Sequence, residues 1–501
     1  MLQISILFFA KIVVFVVTRI TESEKPMKKK EGIKISFVDS YSAMDVTGSN
    51  IFISTPTTKI LLDCGLHQSN DKKDDYIINK RKTKEYKPKD LDFIFICHNH
   101  ADHSLMFPKY YADGFRGACI VPNDAKTIMK DMMLDGAYIN ERDVEVMNKQ
   151  YDKNWLPLYT EQNVIDCMDY IIEKPIGEKI VINGEISFKF IPSGHLLNGC
   201  QLILWITYNN VTKCIGYTSD IGNNLVDNYY VGKLEKIDKC DLLIGESTYG
   251  NRPQLKTRKK ERENDIKKLK SIIDNQVKES RGRVVIPVFA QGRCASILTM
   301  IYELYKNENF DYNVYVDSPL AIKLLNDYQE ILNGDEKELI ENVLNWKNLK
   351  LIEETDDSKA LVSSSEPCVI LSTSGFCNVG RIRHHFKSIV SNPNATILFC
   401  GYSSDGSLAS MLKDPKRKSI DIDGKVYPVR CNCQCLKSMS GHATFEVLLD
   451  YYSHVNCNKI VLHHGSDESK ETLSKMLMES LEKECKSTRV VCANSSLKFS
   501  I

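Results

Sequence analysis

The chain has no excess of either charge and no internal repeat. Lys and Arg number 66 and Asp and Glu 65, so the formal net charge is only +1. Whole-molecule charge therefore gives no indication of a nucleic-acid partner, and a basic surface would have to be local. Without repeats or long low-complexity tracts, the 501 residues, 43% of them hydrophobic, predict a globular protein of two or more domains.

The chain also lacks an apolar run long enough to cross a bilayer. Near the N-terminus, runs at residues 4–10 and 12–17 are separated by Lys11 and fall short of the ~20 apolar residues that a spanning helix needs. The basic n-region and small-residue cleavage site of a signal peptide are missing. We therefore expect no stable membrane association. We also expect residues 1–32 to be an extension outside the fold, with residues 1–26 dispensable.

The seventeen cysteines do not have the arrangement of a disulfide framework. They are scattered and mostly lie inside apolar segments, which favours reduced, buried thiols and a cytoplasmic location. Cys431, Cys433 and Cys435 alternate with polar residues, so they would share one face of a strand. This spacing favours structural packing over a zinc knuckle, which uses Cys-x2-Cys spacing.

Histidine is scarce, yet three of the eleven stand within six residues. His98, His100 and His103 follow the apolar run 93–96, and Asp102 lies among them. The apolar run predicts a buried strand, and the polar cluster predicts a loop at its end, where several ligands can converge. Imidazole and carboxylate together suit zinc or a similar divalent ion. The sequence therefore predicts a metal site here.

Four further candidate ligands also follow apolar runs, each at the predicted end of a strand. Alone, each has an ordinary explanation, because such an Asp is commonly a turn or cap residue and such a His commonly forms a structural hydrogen bond. Their order along the chain is what makes them informative. The four are Asp63, His195, Asp220 and His464.

Two blocks of the chain alternate strand-like runs with helical or polar stretches, which favours an α/β fold. The first extends from about residue 33 to residue 246, and the second begins at residue 283 and reaches residue 399. Between them, residues 254–275 are rich in Lys, Arg and Glu with helical periodicity. We expect this stretch to be a solvated helix without a catalytic role.

Taken in order, Asp63, the 98–103 cluster, His195 and Asp220 resemble the four signature motifs of the metallo-β-lactamase superfamily. Residues 242–250, residues 440–443 and His464 with the following glycine are similar to motifs A, B and C of the β-CASP nucleases. Four more segments match that family, at residues 286–293, 317–321, 372–376 and 401–406. The resemblance covers residues 33–475, and so many ordered matches make coincidence remote.

The resemblance implies an α/β fold, an αββα metallo-β-lactamase sandwich with an inserted Rossmann-like β-CASP domain. The sandwich would comprise residues 33–247 and 436–501, and the insert would comprise residues 248–435. Only residues 466–501 follow motif C, so we expect no additional C-terminal RNA-binding or dimerisation domain. A homodimer remains possible.

The resemblance also implies two Zn²⁺ ions per chain. By analogy, His98, His100 and His195 hold one ion, and Asp102, His103 and His464 hold the second, with Asp220 between them. Asp63 would orient a ligand or the bound water, a role that metal sites need as much as ligands. His463 could be mistaken for the motif C ligand, but the His-Gly pairing selects His464, and strand alternation would turn His463 to the other face.

The same resemblance assigns chemical roles to Glu246 and His442. The resemblance implies that His442 stabilises or protonates the leaving 3′-oxygen and that Glu246 sets its tautomer and orientation. The products would carry a 5′-phosphate and a 3′-hydroxyl. Asp63, Asp102, Glu246 and His442 are thus the expected catalytic residues.

The substrate is expected to be single-stranded RNA, because relatives that act on RNA carry His at motif C whereas related DNA nucleases carry an aliphatic residue. The alternatives are a DNA or small-phosphodiester hydrolase of the same fold and a non-catalytic scaffold of RNA processing. Cutting could be endonucleolytic or proceed from the 5′ end. Residues expected to contact substrate phosphate are Ser372, Thr373, Ser374, Gly375 and Arg381.

Two positions depart from the family pattern. Cys294 and the two residues after it replace a segment that usually carries a Gln-Glu pair, which puts the usual polar contacts between the two domains in doubt. Asn99 replaces a small residue between the first two histidines. Neither change removes a predicted ligand.

Overall fold

The computed structural model describes residues 32–223, 229–252, 258–401, 403 and 406–501. The predicted N-terminal extension, apart from its last residue, lies outside these described residues. The first half of the chain supplies strands to two sheets, because its apolar runs alternate with helices or tight turns. Its strands are β1 (Lys34–Ser36), β2 (Ile51–Ser54), β3 (Lys59–Leu62), β4 (Phe93–Phe95), β5 (Ala118–Pro122), β6 (Ile171–Lys174), β7 (Lys179–Val181), β8 (Ile186–Pro192), β9 (Cys200–Tyr208), β10 (Val211–Tyr217) and β11 (Leu242–Glu246).

The second half adds strands β12 to β22. These are β12 (Arg283–Pro287), β13 (Asn313–Asp317), β14 (Leu349–Leu351), β15 (Cys368–Ser372), β16 (Ala395–Cys400), β17 (Ser419–Ile422), β18 (Lys425–Pro428), β19 (Asn432–Leu436), β20 (Lys459–His463), β21 (Arg489–Cys492) and β22 (Lys498–Ser500).

Helices connect many of the strands in the described residues. In the first half they are α1 (Lys72–Lys80), α2 (Ala101–Ser104), α3 (Phe107–Ala112), α4 (Ala125–Tyr151) and α5 (Glu161–Cys167). The later ones are α6 (Arg258–Ile273), α7 (Arg293–Tyr305), α8 (Pro319–Ile331), α9 (Gly334–Leu344), α10 (Thr355–Ser363), α11 (Ile382–Ile389), α12 (Leu408–Lys413), α13 (Phe445–His454) and α14 (Asp467–Lys483). Short 3₁₀ turns occur at Tyr41–Ala43, Pro88–Asp90 and Met168–Tyr170, and a π-helical turn occurs at Asp274–Glu279.

Two seven-stranded sheets form a sandwich. One has the order β22-β1-β2-β3-β4-β5-β6 and the other β21-β20-β11-β10-β9-β8-β7. Side chains from both sheets, such as Phe95, Phe188 and Leu204, share one buried cluster. Helices α3, α4 and α5 cover the outer face of the first sheet, and α13 and α14 cover that of the second. This layering confirms the predicted αββα fold class.

The third sheet lies between these parts in sequence and has six parallel strands, in the order β14-β13-β15-β12-β16-β19. The chain leaves the sandwich after β11 and rejoins it at β20, which pairs in parallel with β11 in the register Glu246 to His463. This pairing of strands far apart in sequence brings Glu246 beside the C-terminal motif. The numerical domain limits stay predictions.

The charged stretch at 254–275 is helical from Arg258 to Ile273, but the expectation that it is merely solvated is wrong for its inner face. Leu269 and Ile273 join the core of the inserted domain. Arg262 and Asp265 are also buried. Residues 254–257 lie outside the described part. Within that part, no helix is both long and apolar enough to cross a membrane.

Candidate metal centre

Five segments bring the candidate ligands together from the C-terminal ends of strands. Asp63 directly follows β3, and residues 98–103 follow β4. His195, Asp220 and His464 come just after β8, β10 and β20. Since these strands belong to the two facing sheets, their ends meet at one edge of the sandwich.

The first donor group contains His98, His100, His195 and Asp220, whose nearest ligand atoms all lie within 4.8 Å of one another. His195 Nε2 is 3.3 Å from His100 Nδ1. Asp220 Oδ2 lies 3.6 Å from His98 Nε2 and 3.7 Å from His195 Nε2. Such spacing between neighbouring donors is what a small cation bound at their centre requires.

The second group contains Asp102, His103 and His464. His464 Nε2 lies 3.2 Å from both Asp102 Oδ2 and His103 Nε2. The other oxygen of Asp220, Oδ1, is 3.4 Å from His103 Nε2 and 3.2 Å from His464 Nδ1. Asp220 therefore faces both groups, one carboxylate oxygen toward each.

The hydrogen bonding of these groups shows whether they fit a metal. Among the described residues, His98 Nε2 and Asp220 Oδ1 lie in the donor groups, are buried and have no hydrogen-bond partner. An unpartnered buried polar atom costs free energy unless something else binds it. Burial, together with the neighbouring imidazoles, also lowers the pKa of His98 and His195 well below the usual value, which keeps both rings neutral as ligands must be. The residues present fit divalent cations.

Asp63 lies behind the ligands rather than among them. It is fully buried, and its Oδ2 accepts a 2.7 Å hydrogen bond from His103 Nδ1. The Tyr217 hydroxyl also donates to Oδ2, and Oδ1 accepts from the Cys97 backbone N–H at 3.0 Å. With Nδ1–H held in this way, His103 presents Nε2 to the donor group, so Asp63 sets the tautomer and direction of a ligand.

The two adjacent histidines of motif C point to different places. His464 has a left-handed backbone (φ 52°) and joins the donor groups. His463 ends β20 and turns inward, where its Nδ1 meets Ser42 Oγ at 3.2 Å. Burial lowers the pKa of His463 well below the usual value. The geometry thus places His464, and not His463, among the ligand atoms.

Glu246 and His442 form a pair beside the donor groups. His442 Nδ1 is 3.4 Å from Glu246 Oε1 and 3.9 Å from Asp220 Oδ2. Glu246 is fully buried and accepts from the Ile221 backbone N–H at 2.8 Å. Burial opposes a charge on His442, but Glu246 and Asp220 nevertheless raise the pKa of His442 above its usual value. His442 can therefore hold a proton next to the donor groups.

Residues that the sequence did not single out support this pair. Asp265, on α6, accepts from the backbone N–H and the hydroxyl of Ser438, at 2.7 and 2.8 Å. Arg262, one turn earlier, donates to the Ser438 carbonyl. Because Ser438 begins the segment that carries His442, α6 of the insert helps to hold that histidine. The only sequence signal was the charge of α6, which does not identify a partner 173 residues away.

The predicted phosphate contacts lie at the C-terminal ends of β13 and β15. Ser372 Oγ donates to the Asp317 carbonyl, and Thr373 Oγ1 hydrogen-bonds Ser318 Oγ at 2.8 Å. Ser374 Oγ donates to the Val379 carbonyl. Gly375 lines a cavity of about 210 Å³ together with the side chains of Phe289 and Lys413. This stretch thus borders open space with its hydroxyls already hydrogen-bonded.

Arg381 is engaged within the protein. Its Nη1 donates to Asp317 Oδ1 at 2.8 Å and to the Ile352 carbonyl, and its Nη2 donates to the Glu353 carbonyl. Asp317 also accepts from His385. These contacts explain the position of Arg381 without a phosphate.

The departures from the family pattern and the cysteine triplet have local explanations. Asn99 is buried and donates to the Ala125 carbonyl, which ties the ligand loop to the start of α4. Cys294 packs into the core of the insert. Cys431, Cys433 and Cys435 pack against another apolar cluster of the insert, and all seventeen cysteines are free thiols.

Comparison with known proteins agrees with this architecture. Residues 294–412 match the model of the Beta-Casp domain, and residues 426–487 match that of the Zn-dependent metallo-hydrolase RNA specificity domain. The chain is 28% identical to a ribonuclease of Thermus thermophilus over 87% of this chain and 94% of that protein. It is 26% identical to transcription termination factor FttA of Methanocaldococcus jannaschii, over 87% of this chain and 67% of that protein.

Two further similarities extend the comparison. The chain is 24% identical to Integrator complex subunit 11 of Gallus gallus over 89% of this chain and 71% of that protein. A crystal structure of a protein of unknown function from Enterococcus faecalis superposes with a TM-score of 0.51 at 14% identity, over 94% of this chain and all of that one, which supports the fold alone.

Fold, donor groups and family matches together define the class of this protein, a metal-dependent hydrolase. More narrowly, residues 294–412 match the Beta-Casp domain, and the chain is similar along most of its length to a protein named a ribonuclease.

Proposed function

We propose that the protein is a ribonuclease that binds two Zn²⁺ ions and hydrolyses phosphodiester bonds of single-stranded RNA. One observation carries the proposal: seven buried or half-buried donors form two adjoining groups that share Asp220. Imidazole and carboxylate donors suit zinc. When bound, a pair of such ions neutralises phosphate charge and lowers the pKa of a water molecule.

The chain's own residues supply the remaining chemistry. Asp220 holds the two groups in register, and Asp63 keeps His103 in one tautomer. Protonated His442 donates to the leaving 3′-oxygen, and Glu246 keeps that imidazole aligned and charged. The products carry a 5′-phosphate and a 3′-hydroxyl. The serine-rich segment at 372–375 contacts the substrate backbone at the edge of its cavity.

RNA is the proposed substrate for two reasons. One matched domain is described as conferring RNA specificity, and a relative similar along most of its length is named a ribonuclease. Motif C also carries His464, the residue expected of relatives that act on RNA. The free thiols favour a reducing compartment, and we propose the cytoplasm.

A direct test compares matched single-stranded RNA and DNA, each labelled at the 5′ end, with the zinc-loaded protein and its Asp102→Ala variant. We expect RNA to be cut and cleavage to be lost in the variant. Internal fragments would identify an endonuclease, and labelled mononucleotide a 5′-exonuclease. Intact RNA alongside cut DNA would contradict the RNA assignment, and two bound zinc ions without any cleavage would favour a scaffold.

A further inference from the structure

A strongly basic loop on the sandwich domain has no part in the donor groups. The loop, residues 80–89, contains six cationic residues and one acidic one, Glu85. Glu85 is already engaged, because it accepts from Lys498 Nζ at 2.6 Å and from the Ser36 hydroxyl. In a chain with a net charge of +1, such a concentration of positive charge is local. The cationic residues are Lys80, Arg81, Lys82, Lys84, Lys87 and Lys89.

Most of these cations are available for a partner. Within the described residues, five of the six are exposed and make no ion pair or side-chain hydrogen bond, the exception being Lys80, which donates to the Tyr76 hydroxyl. The large apolar side chain of the loop, Tyr86, is buried. The loop therefore presents charge without an apolar anchor, which favours a soluble polyanion over a lipid surface.

The loop is connected to the junction between the two domains. Helix α1, which precedes it, has nine residues and thus a length of about 13 Å. Just before α1, Asn70 Oδ1 accepts a 2.9 Å hydrogen bond from Asn378 of the inserted domain. The basic loop therefore begins about one short helix away from a contact between the sandwich and the insert.

A polar cavity joins the loop to the back of a ligand segment. This open cavity of about 560 Å³ is lined by Arg81 and Lys82 on one side and by Tyr41, His67 and Gly65 on the other. The rings of Tyr41 and His67 stack with centroids 4.4 Å apart, and His67 Nδ1 is buried without a hydrogen-bond partner among the residues that the structure describes.

The wall of the cavity next to Gly65 is continuous with the donor groups. The Leu66 N–H donates to the Ala101 carbonyl, and the Cys64 N–H donates to the His103 carbonyl, both within 2.9 Å. One pair of hydrogen-bonded backbone segments therefore carries both Gly65 of the cavity wall and the ligand candidates Asp102 and His103.

We propose that the basic loop and this cavity form an accessory site that binds the phosphate backbone of single-stranded RNA outside the catalytic groups. The proposal rests on the proposed function for the identity of the polyanion. Each phosphate neutralised by a Lys or Arg releases counterions, so binding by the loop is strongly salt-dependent. The accessory site lengthens the contact with RNA and therefore affects the affinity for long molecules while leaving the chemical step unchanged.

The test uses the full-length protein with Arg81, Lys82 and Lys84 all changed to Glu. The matched control changes Lys239, Lys475 and Lys483 to Glu; these are also exposed and without side-chain partners in the described structure. Binding of phosphorothioate RNAs of about 30 and about 5 nucleotides is followed by fluorescence anisotropy over a range of salt concentrations. We expect the loop variant to bind the long RNA at least about tenfold more weakly, with the slope of log K against log salt reduced by about 2, or ~0.7 per lost contact.

The short RNA and the control variant decide the interpretation. Unchanged affinity of the loop variant for the short RNA, with the control binding both RNAs like the wild type, supports an accessory site. The proposal would be overturned if the loop variant and the control bound the long RNA with equal affinity. It would also be overturned if the loop variant lost affinity only for anionic phosphatidylserine vesicles. Because binding is measured without cleavage, the two proposals can fail separately. If the wild type cuts RNA but the loop variant binds RNA as tightly as the wild type, this inference alone is refuted. If binding depends on the loop but no RNA is cut, the proposed function alone is refuted.

Discussion

Two buried carboxylates, Asp220 in the sandwich and Asp317 in the insert, have opposite surroundings. Asp317 accepts from Arg381 Nη1 at 2.8 Å, His385 Nε2 at 2.6 Å and Ser358 Oγ at 2.8 Å, so both of its oxygens are satisfied within the protein. Asp220 lies among imidazoles, and in the described part of the chain its Oδ1 has no hydrogen-bond partner.

The pKa values of Asp220 and Asp317 are also shifted in opposite directions. Burial raises the pKa of Asp220, and the nearby histidines only partly offset it. Burial also opposes ionisation of Asp317, but His385, Ser358 and Arg381 outweigh it and hold its pKa below the usual value. A carboxylate whose hydrogen-bond partners are complete stabilises the fold, whereas a buried carboxylate with an unpartnered oxygen among imidazoles marks a ligand site.

The largest expected effect is that of Asp220→Asn, which replaces the carboxylate that has an unpartnered oxygen. We expect RNA cleavage to fall about 10³-fold or more, roughly 4 kcal/mol, because both donor groups lose an anionic ligand. Bound zinc, measured by metal analysis, should fall with activity. Without metal, the variant should unfold at a temperature no lower than that of the wild type, since a costly buried charge is removed. Full activity and full zinc content would contradict the assignment.

Glu246 and His442 are expected to affect chemistry without affecting metal content. His442→Ala should lower kcat by about 10²- to 10⁴-fold, the usual range for a lost general acid. His454→Ala, at an exposed histidine on α13, serves as the control. Zinc content equal to the wild type with reduced kcat would separate this pair from the ligands. A loss of zinc in parallel with activity would instead make His442 part of the metal site.

The variant Asp317→Asn tests the carboxylate whose hydrogen-bond partners are complete. Leaving Arg381 and His385 without their carboxylate should reduce the free energy of unfolding by about 3–5 kcal/mol, measured by denaturant titration. Asp335→Asn, at an exposed position, is the control. Zinc content of the folded fraction should stay unchanged. A stable Asp317→Asn variant that fails to bind RNA would show that this cluster serves the substrate instead.

The smallest expected effect concerns Asp135 on α4, which packs against α8 of the insert. Burial raises the pKa of Asp135 to about 6, and Lys323 on α8 offsets this only partly. Because the folded pKa exceeds the unfolded one, ionised Asp135 destabilises the fold above about pH 6 and has no effect below pH 4. Asp135→Asn should therefore raise stability at pH 8 by about 1–2 kcal/mol and leave it unchanged at pH 4.

A matched control for this pH dependence is Glu141→Gln, at an exposed position on the same helix. Thermal unfolding of the three proteins at both pH values separates the two positions. A gain for Asp135→Asn that is equal at pH 4 and pH 8 would contradict the raised pKa.

The difference between the two carboxylates also shows which features of the fold and the site could be predicted from the sequence. The ligand segments follow strands whose apolar runs are local, so Asp63, His98 and His195 could be placed from the chain itself. The resemblance supplied the layers and the inserted sheet, and the fold agrees with both. Side-chain partners across domains were not predictable, because they depend on packing between distant segments.

Two residues illustrate this limit. The charge of α6 predicted a solvated helix, yet Asp265 anchors the segment before His442. A phosphate contact of Arg381 stays a prediction from the basic character of its segment, and nothing in the sequence indicated that its guanidinium binds Asp317. In both cases the residue type indicated the charge of the side chain but not the residue to which it would bind.

The most direct test of the central claim is an anomalous-difference map at the zinc edge from crystals of the zinc-loaded protein. The account predicts two peaks on either side of Asp220, one beside His98, His100 and His195 and one beside Asp102, His103 and His464. A single peak, or peaks only at other residues, would contradict a two-zinc centre built on Asp220.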